Sequence, residues 1–357
     1  MTTTLWLRAE TKAQESRCAL APGHVKTLLD NGFRVIVEKS SQRAIGDDAY
    51  LDTGCEMAGA GSWTQAPIDY FIIGIKDLPD DIKLLHHRHI YFGHAYKKQE
   101  GWQSLLRRFT AGNGQLFDIE YLVDAHGRRV AAFGYWAGYT GCAVGIKTWA
   151  GQQLGRDPVV PPLRPYRSKS ELIGDLRKEL EDAKKTAGRA PSVIIVGAKG
   201  RVGTGAGDLA ESLALDLTRW DLEETARGGP FEEILQHDIF VNCVLVNHRI
   251  APFVTISTLS TPGRRLSVIS DVSCDPGEYN PVPVYTKATT FAEPVRRIMA
   301  SPLLDLTAID HLPSMLPVEA SEDFGDQLLP YLLELDAGPK GVWRRALDVF
   351  EEKTRGL

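Results

Sequence analysis

The stretch Val193-Ile194-Ile195-Val196-Gly197-Ala198-Lys199-Gly200-Arg201-Val202-Gly203 decides the reading of this chain, because it runs from an apolar strand through a glycine-rich turn into a helix. Residues 193–196 are β-branched and apolar throughout, as a strand buried on both faces of a parallel sheet requires. Gly197, Gly200 and Gly203 permit a tight turn, close approach of backbone to phosphate, and packing of helix on strand. The following helix, through Asp208-Leu209-Ala210-Glu211, aims free N–H groups and the positive end of its dipole at an anion. The spacing departs from G-x-G-x-x-G, since Lys199 stands where the second glycine belongs and Gly200 follows it. A second apolar run ends at Trp220-Asp221, which puts a carboxylate about 20 residues on, the distance suited to a ribose 2′-hydroxyl. A carboxylate there repels a 2′-phosphate, so NAD is expected over NADP. An ordinary βα turn with a chance aspartate is the plainer alternative.

Outward from that turn, the first part of the chain reads as repeated β-α units. Leu5-Trp6-Leu7-Arg8 is a strand, Pro22 to Asn31 a helix closed by Gly32, and residues 34–38 a second strand. A helix over Tyr50 to Ala58 follows, then strands over Tyr70–Ile75 and Ile90–His94, a helix from Trp102 to Phe109, and a strand over Leu116–Glu120. Strands alternating with helices imply a parallel sheet. A long helix of small residues, Tyr135 to Gln153, carries Gly138, Gly141 and Gly145, a spacing that lets it pack very close to a neighbour at a domain joint. Pro158, Pro161, Pro162 and Pro165 mark a loop, and Ser168 to Lys185 is a charged, solvent-facing helix. Strands over Asp238–Asn242 and Leu266–Asp271 repeat the theme. The helices Val318–Leu335 and Val342–Lys353, with no strands left to serve, are expected to cross back to the first domain. The expected fold is α/β: two Rossmann-like domains with parallel sheets separated by a cleft, residues 1–134 plus 320–357 forming one and 135–319 the other.

Composition narrows the function classes. At 357 residues, two domains are the default; 43% hydrophobic and 24% charged residues mark an ordinary globular chain and exclude a disordered one. A net charge of -5 and a pI near 6.0 argue against nucleic acid or an anionic membrane as bulk partner. No apolar stretch approaches the ~18 residues of a membrane span. Cys18, Cys55, Cys142, Cys243 and Cys274 are scattered without a C-x-x-C pair, so they read as reduced thiols, and no metal is expected. His86, His87 and His89 read as an exposed connection after a helical Asp80-Asp81-Ile82-Lys83.

Two strand-end residues have useful chemistry. Lys76 and His94 each close an apolar run, and if those strands are parallel neighbours, an amine and an imidazole meet at one rim. A solvated lysine and a hydrogen-bonded structural histidine are the plainer readings of the two. Lys12, Arg17 and the pair Arg128-Arg129 supply cations, the arginines with guanidinium forks, that suit a polycarboxylate substrate, with ion pairing as the competing explanation.

Specific segments then carry a resemblance: Leu7-Arg8-Ala9-Glu10-Thr11-Lys12, Gly74-Ile75-Lys76, Gly93-His94-Ala95-Tyr96-Lys97, residues 127–134, Arg227-Gly228-Gly229-Pro230-Phe231 and Ile309-Asp310-His311-Leu312-Pro313-Ser314. In order and across most of the chain, they resemble the lysine-forming saccharopine dehydrogenases, relatives of alanine dehydrogenase and of the nucleotide-binding parts of transhydrogenase. The resemblance implies that the first domain binds saccharopine, the second NAD, with Lys76 as proton acceptor and His94 as proton donor. It further implies substrate contacts at Arg17, Gln99, Arg128 and Phe133. Cofactor contacts are implied at Gly197, Gly200, Arg201, Val202, Gly203, Asp221, Thr225, Val272, Asp310, His311, Leu312 and Pro313, with Arg128 shared. Val202 is a departure, since the fungal relatives carry a cysteine there, which weakens any argument for a disulfide involving Cys243.

The reaction so implied is oxidative cleavage of saccharopine to lysine and 2-oxoglutarate, small molecules being the only partners expected. The alternatives are an alanine or opine-type dehydrogenase and, in another class, an NAD-binding sensor or transhydrogenase-like subunit, which has no need of Lys76 and His94 together. A monomer is allowed, and nothing in the sequence fixes the oligomeric state. With no signal at Met1-Thr2-Thr3-Thr4-Leu5, and Arg355-Gly356-Leu357 unlike a peroxisomal S-K-L ending, a cytoplasmic protein is expected.

Overall fold

The computed structural model describes residues 2–357 apart from 98, 247, 278 and 338. The chain divides into two units, Met1–Ala132 with Pro317–Leu357, and Phe133–Leu316.

In the first unit, short buried runs form β1 (Thr4–Leu7), β2 (Arg34–Glu38), β3 (Glu56–Ala58), β4 (Phe71–Ile73), β5 (Arg88–Tyr91) and β6 (Gln115–Asp118), connected by α1 (Pro22–Asp30), α2 (Asp47–Leu51) and α3 (Trp102–Gly112). The strands pair in parallel in the order β3-β2-β1-β4-β5-β6. The order reverses direction between β1 and β4, so the loops after those strands diverge there, at the switch point where open α/β sheets take ligands. Residues 50–58 are not the single helix expected. Helix α2 ends at Leu51, Gly54 turns the chain at a φ of 84°, and residues 56–58 form the edge strand β3. Residues 80–83 form no helix either. His87 and His89 are buried, at 3% and 0% exposure, rather than exposed as expected. His89 lies within β5, its ring edge-on to Trp63 and Phe109 at 5.1 and 5.4 Å.

The second unit comprises α4 (Gly134–Gln153), α5 (Lys169–Ala187), β7 (Ser192–Val196), α6 (Arg201–Ser212), β8 (Asp216–Trp220), α7 (Leu222–Thr225), β9 (Ile239–Asn242), α8 (Ile256–Leu259), β10 (Val268–Asp271), β11 (Arg296–Met299) and β12 (Leu304–Thr307). Its sheet order is β11-β12-β10-β9-β7-β8, parallel except for the edge strand β11. Strands β11 and β12 add to the strands expected from the sequence. Both are four residues long and mix charge with apolar side chains, and Asp305 is tolerated inside because Gln152 and Arg297 hydrogen-bond it.

Helix α4 is buried on nearly every side. A Cβ at Gly138 would overlap the carbonyl of Val202, one at Gly205 the carbonyl of Tyr135, and one at Gly141 would lie 2.5 Å from Val272. The small residues thus seat α4 against α6 and the sheet of its own unit. Lys147, buried in α4, pairs with Asp175 and Glu179 of α5 at 2.7 Å each.

The chain then returns to the first unit as α9 (Pro317–Leu332) and α10 (Gly341–Thr354). Trp343 of α10 packs edge-on to Phe117 of β6, and Phe350 to Phe109 of α3, with ring centroids 5.9 Å apart in both pairs. Ser321 of α9 accepts the Cys18 N–H at 2.9 Å, and the Gln327 amide exchanges hydrogen bonds with Ala132.

Candidate functional site

In the second unit the order reverses between β7 and β9, and the glycine-rich turn sits at that point. Gly197 has a φ of 86°, which a side chain resists, and a Cβ there would press on Val244 at 2.9 Å. A Cβ at Gly203 would overlap the Gly197 carbonyl. Helix α6 starts at Arg201 behind Gly200, and no side chain caps it, so its first N–H groups are presented from a cradle of bare backbone. Asp221 closes β8 beside the turn; its carboxylate accepts the Lys199 N–H at 2.7 Å and the Leu222 N–H at 2.9 Å, leaving lone pairs for a sugar hydroxyl. Next to it opens a largely apolar cavity of about 570 Å³, lined among others by Gly197, Asp221, Leu222, Thr225, Val244 and Phe253. A cradle that excludes Cβ atoms, an uncapped helix and an apolar pocket with one carboxylate at its mouth fit an adenine dinucleotide.

The other expected cofactor positions lie at the ends of neighbouring strands of the same sheet. Val272 follows β10 and is buried; Asp310 is exposed after β12, and the His311 ring stacks on Phe291 at 4.4 Å. Leu312 and Pro313 are buried, so only backbone is on offer there. Thr225 donates its hydroxyl to the Asp221 carbonyl at 2.8 Å. Arg201 is exposed, Val202 half-buried, and all five cysteines are free.

In the first unit, β4 and β5 are parallel neighbours, so Lys76 and His94 follow adjacent strand ends on one edge of the sheet. The backbone at Lys76 is clamped: Glu10 accepts the N–H groups of Ile75 and Lys76 at 2.6 and 2.9 Å, and the Arg8 guanidinium donates to the Lys76 carbonyl. Burial pushes the Glu10 carboxyl up, only partly offset by Arg8 and those two N–H groups. A Cβ at Gly74 would reach within 2.5 Å of the Arg8 guanidinium, so the glycine makes the clamp possible.

Arg17 is buried and grips Glu15 with both arms of its fork, at 2.8 and 2.6 Å. Burial raises Glu15, but Arg17, helped by the charge of Lys76, outweighs it and holds the carboxyl below its usual range. His94 is half-exposed at a φ of 48°, with Nδ1 at 3.6 Å from Glu120, an ion-pair contact too long for a hydrogen bond. Lys97 and Arg129 reach the same carboxylate at 2.6 and 3.2 Å. His94 first, then Lys97 and Arg129, working against burial, hold Glu120 down at about 2.

Gln99 accepts the Lys97 N–H at 2.9 Å through its side chain, and Phe133 stands at the start of α4 in the second unit. Arg128 is exposed and pairs with Asp124 at 3.0 Å. The structure therefore gathers Lys76, Arg17 and His94 beyond the carboxyl ends of neighbouring strands of the first unit, and binds Arg17, Arg128 and Arg129 to carboxylates rather than leaving them open. Glu10, Glu15 and Glu120 were missed as members of the site. The Arg8–Glu10 pair directly after a strand and the Glu15–Arg17 pair, each two residues apart, are the available signals; Glu120 depends on contacts that no local pattern encodes.

Two units with mostly parallel sheets, one of them carrying a dinucleotide-type turn, define a two-unit α/β fold of the Rossmann type. Residues 6–140 match the family model described as alanine dehydrogenase/PNT, N-terminal domain. A solved L-alanine dehydrogenase superposes with a TM-score of 0.66 over 98% of this chain and 99% of its own, at 18% identity, a likeness of fold. The chain belongs to the NAD-dependent, L-lysine-forming saccharopine dehydrogenase family. The protein of that name from Yarrowia lipolytica is 47% identical over 98% of this chain and 96% of its own length. The one from Schizosaccharomyces pombe is 45% identical over 99% of both.

Proposed function

We propose that the protein is an NAD-dependent oxidoreductase that cleaves saccharopine to L-lysine and 2-oxoglutarate, reversibly. The observation that carries this reading is the near-full-length identity of 47% to a relative of that named activity. NAD, when bound, would supply the hydride acceptor. The proposed holders are the turn 197–203, with Asp221 and Thr225 at the ribose and Val272 and residues 310–313 along the strand ends.

Lys76 takes the proton of the secondary amine, whose lone pair then drives hydride loss from the glutamyl α-carbon and leaves an imine. Water adds to the imine carbon, and the carbinolamine collapses as the lysine amine departs. His94 supplies the protons these steps require. Arg17, Gln99, Arg128 and Phe133 are the proposed substrate contacts. The three carboxylates of saccharopine give the cations a purpose, with substrate carboxylates taking the place of Asp124 on Arg128. Clamping of the Lys76 backbone by Glu10 and Arg8 fixes where the amine is presented. Five free cysteines suit a reducing compartment, and cytoplasm is the proposed location. Among the described residues no helix is long and apolar enough to cross a membrane.

The test is NADH oxidation with lysine plus 2-oxoglutarate against pyruvate plus ammonia. Turnover of the first pair is expected. Turnover of pyruvate and ammonia alone would replace this reading with an alanine dehydrogenase, and NADH binding without turnover of either would make the protein a sensor.

A further inference from the structure

Asp118 closes β6 directly opposite Tyr91 of β5 and is fully buried. Its Oδ1 accepts the Glu120 N–H at 2.9 Å and so caps the single turn over Ile119–Tyr121. Its Oδ2 is buried without a partner in good hydrogen-bonding geometry and is set against Gly93, where a Cβ would lie 3.2 Å from it and 2.7 Å from Leu116. Gly93 leads straight into His94. One carboxyl thus touches both segments that carry the imidazole and its ion-pair partner Glu120. The titratable and charged groups around it are Tyr91 from β5, His94 and Tyr96 from the loop beyond, and Glu120 and Tyr121 from the turn. Arg8 lies over the Tyr91 ring, and Lys353 of α10 acts on Tyr121.

We propose that Asp118 is a positioning residue for the reaction: it holds the His94 and Glu120 segments in one register and sets the charge behind the imidazole. The inference rests on the reading of His94 as proton donor. An ionised Asp118 favours the imidazolium and a neutral one does not, so the charge of one bears on the other. Burial pushes the Asp118 carboxyl up to about 6, against the pull of the Glu120 and Gly93 N–H groups and of His94, so its charge changes close to neutral pH.

The experiment follows the His94 ring signal against pH in ring-labelled full-length protein, assigned by its loss in His94→Gln, and compares Asp118→Asn, which keeps the shape and the cap. Two inflections are expected in the unsubstituted protein. In Asp118→Asn one is expected, with its midpoint lower by about half a pH unit or more, while the KM for NAD stays unchanged and the corresponding step leaves the pH profile of kcat/KM. An identical His94 titration in the two proteins would overturn the proposal. Should Asp118→Asn not fold, carboxyl-carbon titration of Asp118 in the unsubstituted protein decides: an inflection shared with His94 supports the coupling, and independent curves refute it. Coupled titration in a protein that does not turn over saccharopine would sink the functional reading alone; normal turnover with uncoupled titration would sink only the role of Asp118.

Discussion

Lys76 and His94 carry the sharpest test of the proton-transfer scheme. Lys76→Met and His94→Gln should each lower kcat by about 10²-fold or more, within the range for acid–base groups. NADH affinity, read by fluorescence titration, should hold, because the glycine-rich turn belongs to the other unit. Near-normal turnover in either variant removes that residue from the scheme. A different residue governs behaviour in mild acid. Burial, reinforced by Arg8, His87 and Arg108, keeps the His89 pKa far below that of a free imidazole. The unfolded chain protonates at this position near pH 6.5 while the folded one does not, so stability is whole above that pH and falls below it, by up to about 1.4 kcal/mol per pH unit. Denaturant midpoints at pH 5 and pH 7.5 should therefore differ less in His89→Phe than in the parent. An equal gap in both would assign the acid sensitivity to another group.

At the scale of elements, the contact between α4 and α6 positions the anion cradle. Gly138→Ala drives a methyl group into the Val202 carbonyl, and backbone cannot swing aside as a side chain can. The expected result is a fall in Tm of about 5 °C or more, with weaker NADH binding, since α6 must move and its N-terminus with it. An unchanged Tm would mean the helices separate at no cost. The elements legible in the sequence are those whose chemistry is local: the run 193–196 with its turn, the glycine helix, and the strands that lead to Lys76 and His94. Strands β3, β11 and β12 are not legible because three or four residues of mixed polarity carry no periodic signal; β3 and β12 lean on strands remote in sequence, and β11 on its hairpin neighbour β12. The same reason hid the burial of His87 and His89, which depends on Trp63 and Phe109 closing over them. The pairing of Arg17 with Glu15, two residues away, is local, and it turns an expected open cation into a neutralised one.

Across the whole molecule, the two units differ in how the chain supplies them, one continuous and the other split around it. A chain stopped after Leu316 should keep NADH binding and a cooperative melt from the second unit, while the first loses its near-ultraviolet signal for want of Trp343 and Phe350 against Phe117 and Phe109. A fully native first unit in that truncation would show that α9 and α10 are ornamental. On a ribosome the same arrangement imposes an order. The second unit is complete once residue 316 has emerged, whereas the unit that leaves the tunnel first must wait, with one face of β6 bare, for α10 to be made. A stalled or nicked message therefore yields a half-finished sheet with aromatic side chains showing, the form that chaperones hold and proteases clear.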